Sequence, residues 1–354
     1  MLRHHSLHHS PVVHKLIGIL ALALLAACNG RSPIPTTIIA TTTTSPTTTT
    51  SPTASPTSTA VPTETPTPQP TTTTTLTATP TPTRAPTATA TATATAVPPQ
   101  AVVNGLTLDQ FLLMDAATQD HIRDIYALGQ QLGRSPNAFS KIGDSVVLTP
   151  HFLARFDSNQ YNLGIYAHLQ ATINQYAGSF ARFGQAADVG LSARTLFQLG
   201  WADRDVCLPD ENAIACEIRL QNPSITLIRL GTNDQIAADF AANMGKLIEQ
   251  LLAEGIIPVL STKADRFEGE VNANNIILRE LAAAYHIPLW DYDVVAETLP
   301  DRGLSGDGIH LTMSGANDYT QAGVLEKGYP VSDLTALMVL DAIRQVVAVA
   351  QPNS

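Results

Sequence analysis

Ile225-Thr226-Leu227-Ile228-Arg229-Leu230-Gly231-Thr232-Asn233-Asp234 decides the fold. Six mostly aliphatic residues run without the in-out alternation of a half-exposed strand, then stop at a glycine and a cluster of turn-forming polar residues. That is the pattern of a strand buried on both faces. Three more apolar runs read the same way, at residues 139–142, 256–260 and 287–290. Amphipathic stretches at 239–254 and 274–285 separate the later ones. Strand and helix in alternation imply an α/β domain, with a parallel sheet and helices on both faces. A helical pattern over 108–132, with Leu112, Ile122, Ile125, Tyr126 and Leu132 at apolar positions, precedes the first strand. A last helix over 332–348, carrying Leu334, Leu337, Leu340, Ile343 and Val347, closes the sheet. In such sheets sites form beyond the carboxyl ends of the strands. Ser145 and Asn233 each fall just after an apolar run.

The first hundred residues read differently. Arg3 and Lys15 precede an apolar run over 16–27 that is short for a membrane span, so residues 1–27 read as a leader. The run ends in Leu25-Ala26-Ala27-Cys28, which resembles the lipobox of bacterial lipoproteins and implies lipidation of Cys28 after cleavage. The reading against it is an ordinary signal peptide in which Cys28 falls by chance. His4, His5, His8, His9 and His14 resemble a metal tract but lie upstream of that cut. Residues 28–100 comprise the anchor and a segment made almost entirely of Thr, Pro, Ala and Ser, with little apolar surface to offset the entropy of ordering. About 70 such residues, at ~3 Å each in extended form, reach on the order of 200 Å.

Residues 101–354 are long enough for one domain with a full core. Of the charged residues only Arg3, Lys15, Arg31, Glu64 and Arg84 lie before it, so 16 basic and 29 acidic residues leave a net charge of about −13. An acidic body without a Lys/Arg cluster argues against nucleic acid as a partner. Cys207 and Cys216 are the remaining cysteines, nine positions apart, and in an exported chain such a pair reads as a disulfide. A metal pair is the rival, but no His or second Cys pair stands at ligand spacing.

Three fragments carry chemistry: Gly143-Asp144-Ser145, Gly231-Thr232-Asn233-Asp234 and Asp307-Gly308-Ile309-His310. Acyl transfer through a hydroxyl needs a nucleophile, a base, a carboxylate that orients the base, and donors for the oxyanion. Ser145, His310, Asp307 and Asn233 are residue types that fill those roles. Each fragment also has a plainer reading. Ser145 placed at the start of a helix is an N-cap, Asn233 or Asp234 makes an Asx turn, and Asp-x-x-His is half of a metal site. Among the other domain histidines, His121 and His168 fall in helical patterns and His286 follows one, whereas His151, close after Ser145, is the substitute base.

The three blocks, in this order, resemble the GDSL or SGNH hydrolase family. The resemblance implies a flavodoxin-like three-layer α/β/α sandwich and a serine esterase without cofactor or metal. It makes Ser145 the nucleophile, His310 the acid/base and Asp307 its orienter, with the Ser145 N–H and Asn233 as oxyanion donors. The family's remaining block, an Asn-x-Gly-x-Ser-Gly-like stretch, corresponds to Asp188-Val189-Gly190-Leu191-Ser192-Ala193, so Ala193 occupies the place of the glycine whose N–H completes the hole. Either Ala193 donates, its methyl then narrowing the acyl pocket, or Gly190 does under a shifted register. The expectation is a lipid-anchored, extracytoplasmic esterase acting on carboxylic esters, above all acetyl groups on a polysaccharide. A lipase or general carboxylesterase is the alternative, and a catalytically silent surface-binding module on the same fold is another.

Overall fold

The computed structural model describes residues 102–269 and 271–348; the expected leader, Cys28 and the Thr/Pro-rich segment lie outside the described residues. Among the described residues, no helix is long and apolar enough to cross a membrane. The strands are β1 (Leu112–Leu113), β2 (Ser135–Gly143), β3 (Tyr161–Asn162), β4 (Pro223–Arg229), β5 (Ile257–Ser261), β6 (Leu289–Trp290) and β7 (Asn317–Asp318). Five form one sheet in the order β1-β6-β5-β4-β2, while β3 and β7 pair separately. Strands β2, β4, β5 and β6 are parallel, and β1 is an antiparallel edge on β6. On its other side β2 holds a one-residue parallel bridge between Gly143 and Ala187. Counted in chain order, the parallel part therefore runs 2-1-3-4-5, the flavodoxin-like order, with its switch point between β2 and β4.

Among the described residues the α-helices are α1 (Leu108–Phe111), α2 (Ala116–Gln131), α3 (Gln170–Gln175), α4 (Ala213–Gln221), α5 (Ala237–Ala253), α6 (Ala273–Tyr285), α7 (Tyr292–Ala296) and α8 (Gly328–Ala348). Alternate strand side chains divide the core in two, as the pleat requires. Phe139, Ile225, Leu227, Ile257, Val259 and Trp290 face a layer that includes α2, α7 and α8. Ile142, Ile228, Leu260 and Leu289 face α4, α5 and α6. The result is the expected three-layer sandwich.

Several sequence expectations are corrected. The pattern over 108–132 is not one helix. Helix α1 stops at Phe111, Leu112 and Leu113 pair with Trp290 and Leu289, and α2 restarts where the Asp115 carboxylate accepts the Thr118 N–H at 2.8 Å. No helix follows Ser145 either. The Val147 and Leu148 N–H groups both bond the Asp144 carbonyl at 2.9 Å, and turns then continue through 159. Pro150 lacks the donor a helix needs and disfavours helical geometry at Thr149. The long connection from β2 to β4 is largely irregular, so strict alternation begins only at β4. Helix α8 starts at Gly328, four residues before the expected 332, with Pro330 in a first turn that needs no N–H from it. The Cys207–Cys216 disulfide is present, with Cα atoms 5.3 Å apart, and ties the loop before α4 to that helix.

Gly143 is required by space rather than by φ. A Cβ on it would stand 2.6 Å from the Arg229 carbonyl oxygen and collide with the Val147 side chain. Gly143→Ala is therefore expected to lower unfolding free energy by about 1–3 kcal/mol, as overpacking against backbone does. A denaturant melt with an unchanged midpoint would contradict that packing.

Candidate active site

The register of β2 on β4 sets Gly143 opposite Arg229, so the turns that follow the two strands lie side by side. Ser145 sits on the first turn and Asn233 on the second. The second is clamped from α6, because the Asn274 side-chain amide donates to the carbonyls of Gly231 at 2.7 Å and Asp234 at 2.8 Å. Gly231 has φ +126°, a conformation closed to other residues without strain. Thr232 adds a hydroxyl bond to Asp265 at 3.0 Å.

The third component arrives on the loop before α8. Ser305 N–H bonds the His310 carbonyl at 2.7 Å, and Leu304 bridges Leu311, closing a tight loop around Asp307 and His310. Upstream, Asp301, Arg302 and Gly303 all have positive φ, and left-handed geometry costs a non-glycine residue roughly 1 kcal/mol or more. The Arg302 side chain holds that turn through the Ala264 carbonyl at 2.8 Å and ion pairs to Asp293 and Glu297.

These loops bring Ser145, His310 and Asp307 into one chain of hydrogen bonds. Ser145 Oγ lies 2.9 Å from His310 Nε2, and His310 Nδ1 lies 2.6 Å from Asp307 Oδ2. The other Asp307 oxygen accepts the backbone N–H groups of Ile309 and His310, each at 3.0 Å, and the Ser305 hydroxyl at 2.8 Å. The Ile309 N–H first, then the His310 ring, hold the Asp307 carboxyl far below the usual carboxylate range. A permanently charged Asp307 favours the tautomer with its proton on Nδ1, leaving Nε2 free to take one from Ser145.

The candidate oxyanion donors separate. The Ser145 and Gly190 N–H groups make no hydrogen bond among the described residues. Gly190 has φ +77° on an exposed turn. Asn233 Nδ2 donates to the Leu191 carbonyl at 3.1 Å and, at the weak limit of 3.4 Å, to Asp144 Oδ2. Ala193 N–H instead donates to both oxygens of Asp234, at 3.0 and 3.2 Å, and its methyl is buried in the core beside Leu191 and Leu196. Ala193 therefore neither offers a free donor nor narrows an acyl pocket, contrary to the expectation drawn from its place in the block. His151 makes no hydrogen bond to Ser145 among the described residues; its Nδ1 lies 3.3 Å from Arg155 and its ring packs against Tyr329, with burial and Arg155 lowering its pKa. The sulfurs of Cys207 and Cys216, spent on each other, are not thiolate ligands.

Arg229 was legible only as strand filler. Its guanidinium is buried 4.5, 4.6 and 5.4 Å from the ring centres of Tyr292, Trp290 and Phe152 and bonds the Ser332 hydroxyl at 3.1 Å. Asp144 is buried close by. Desolvation raises its carboxyl pKa, while the Val146 N–H and Arg229 oppose that rise. The Asp144 carboxyl accepts the Val146 N–H at 2.9 Å and so holds the serine turn, while the aromatic cage fixes Arg229 on the neighbouring strand.

No family model matches the chain, and no curated protein matches it. Among solved structures it is similar to TesA, at 18% identity over 58% of this chain and 99% of that one, with a TM-score of 0.39. It is similar to a catalytic mutant of Axe2, an acetylxylan esterase from Geobacillus stearothermophilus, at 14% identity over 58% and 95% of the two chains and a TM-score of 0.38. A two-domain esterase active on acetylated mannans matches at 12% identity over 63% of this chain and 53% of that one, with a TM-score of 0.40. The functional reading rests on the chain's own residues.

Burial pushes Asp234 up to about 6, although the Ala193 N–H favours its charged form. A carboxyl whose folded pKa is raised stabilises most below its unfolded value, ~3.9, and loses that contribution as pH rises through the folded one. Between pH 4 and 7 the wild type should lose roughly 1–2 kcal/mol of stability relative to Asp234→Asn, which keeps an acceptor for Ala193. Parallel stability-pH curves for the two proteins would refute this.

Proposed function

We propose that this protein is a serine esterase that hydrolyses carboxylic esters outside the cytoplasm, held to the cell envelope by a lipid on Cys28. The observation that carries the esterase reading is the unbroken Ser145–His310–Asp307 hydrogen-bond chain. In the reaction Ser145 Oγ attacks the ester carbonyl as His310 Nε2 takes its proton. The imidazolium is stabilised by Asp307 and returns the proton to the leaving alcohol. Water, activated by the same nitrogen, then releases the acid and frees the serine. The developing oxyanion draws on the free N–H groups of Ser145 and Gly190 and on the Asn233 amide hydrogen that now meets Asp144 only at 3.4 Å. No cofactor enters these steps.

Short acyl groups, acetyl first, are the substrates this reading favours. The depression beside Asn233 is lined mostly by polar residues, among them Ser192, Arg194, Gln235 and Asp239, which suit a long apolar chain poorly. A lipase remains the second reading because Val189 and Ile236, which flank the candidate donors Gly190 and Asn233, expose 64% and 63% of their surface. A silent binding module is disfavoured, since a scaffold without chemistry has no need of a connected nucleophile, base and carboxylate.

The test is kinetic. Ser145→Ala should lower turnover of an activated acetyl ester by ~10³-fold or more, and Asp307→Asn by a comparable ~10³ to 10⁴, with the fold intact. Asn233→Ala should cost about 10² to 10³. Wild-type kcat/KM should fall from acetyl to octanoyl esters. Activity that survives in Ser145→Ala would end the proposal, and a profile rising toward octanoyl would favour the lipase.

A further inference from the structure

A second concavity opens beside the serine turn. Phe183, Gln185, Asp188, Gly200, Trp201 and Asp203 line an open groove of about 650 Å³, within the ~300–1,000 Å³ of small-molecule sites. It is continuous with the catalytic frame. Its wall at Ala187 and Asp188 is the strand fragment bridged to Gly143, where the Asp188 N–H bonds the Gly143 carbonyl at 3.1 Å. The rim of the Trp201 indole comes within 4.0 Å of where a Cβ on Gly190 would stand. The opposite wall is tied down by Ala202, which packs in a small cluster with Cys207 and Cys216. The disulfide thus braces the side of the groove that carries Trp201.

The lining selects the ligand's chemistry. Trp201 is partly exposed and Phe183 is 49% exposed, so two flat apolar faces meet solvent. Asp188 and Asp203 each give one carboxylate oxygen to a nearby backbone N–H, at 2.7 and 2.9 Å. The other oxygen of each has no partner among the described residues. No Lys or Arg lines the groove. Ring faces for C–H surfaces, with carboxylate acceptors beside them for hydroxyls, fit a sugar ring. Two carboxylates with no cation beside them repel phosphates, sulfates and uronates. We infer that this groove binds a neutral sugar chain whose ester is presented to Ser145. The inference deepens the esterase reading and rests on it only for the link to turnover.

Trp201 and Trp290 are the only tryptophans, and Trp290 is buried, so the emission change on ligand binding reports Trp201. Titrating the full-length protein with unacetylated hexasaccharides of xylose, mannose and glucose should give a saturable change with at least one. By calorimetry Trp201→Ala should weaken that binding about ten-fold or more, while Trp201→Phe keeps it within a few-fold. Oligogalacturonate should bind about ten-fold more weakly than the neutral chain, and Asp203→Lys, on an exposed loop, should narrow that gap. No saturable binding of any neutral chain, or equal affinity in Trp201→Ala, would overturn the inference. Ser145→Ala should bind the sugar as the wild type does. Binding without ester turnover by the wild type would remove the esterase reading and keep the groove, whereas turnover without binding would do the reverse.

Discussion

The close approach of Gly143 to the Arg229 carbonyl is the constraint on which the site depends. Parallel strands β2 and β4 meet there at the switch point of the sheet, with no room for a side chain between them. Ser145 stands two residues beyond one strand partner and Asn233 four beyond the other, so the distance between the Ser145 hydroxyl and the Asn233 amide is set by sheet register. A rigid, buried sheet edge is a better ruler than a loop.

Beneath that ruler lies an unusual floor. Arg229 extends from β4 into a cage of Phe152, Trp290 and Tyr292, where a hydrocarbon residue would satisfy burial alone. One guanidinium nitrogen has no partner there, and desolvation lowers the group's pKa. Such a charge is tolerable because the aromatic faces and the Ser332 hydroxyl offset part of its desolvation. It links β4 to Trp290, Tyr292 and Ser332, and so joins the serine side of the site to the layer that carries α7 and α8. The His310 loop is fixed from that same layer, since the Thr312 hydroxyl accepts the Gly328 N–H at 2.8 Å and Arg302 grips Ala264.

Much of this was legible in the sequence. The apolar runs ending in Gly-Asp-Ser and Gly-Thr-Asn-Asp marked both strands and both turns, because a doubly buried parallel strand leaves few other readings. The Asp307 and His310 pair was readable as chemistry because two intervening residues suffice for a carboxylate to reach an imidazole. Other features were hidden for physical reasons. Leu112 and Leu113 fit a helical face as well as an edge strand, and only the Asp115 cap, acting on Thr118, hints at the restart. Ala193 resembled a substituted oxyanion donor, yet whether a backbone N–H is free depends on which distant acceptor reaches it, here Asp234. Arg229 passed as part of a strand because its aromatic partners, Phe152 and the Trp290–Tyr292 stretch, lie far from it in the chain.

The central claim is that Ser145 is a nucleophile activated by His310. Treating the intact protein with a fluorescent organophosphonate and mapping the adduct by mass spectrometry tests it most directly. A single adduct at Ser145, formed rapidly in the wild type and at least ~10²-fold more slowly in His310→Ala, is the predicted result. An adduct on another residue, or equal labelling rates in the two proteins, would contradict it.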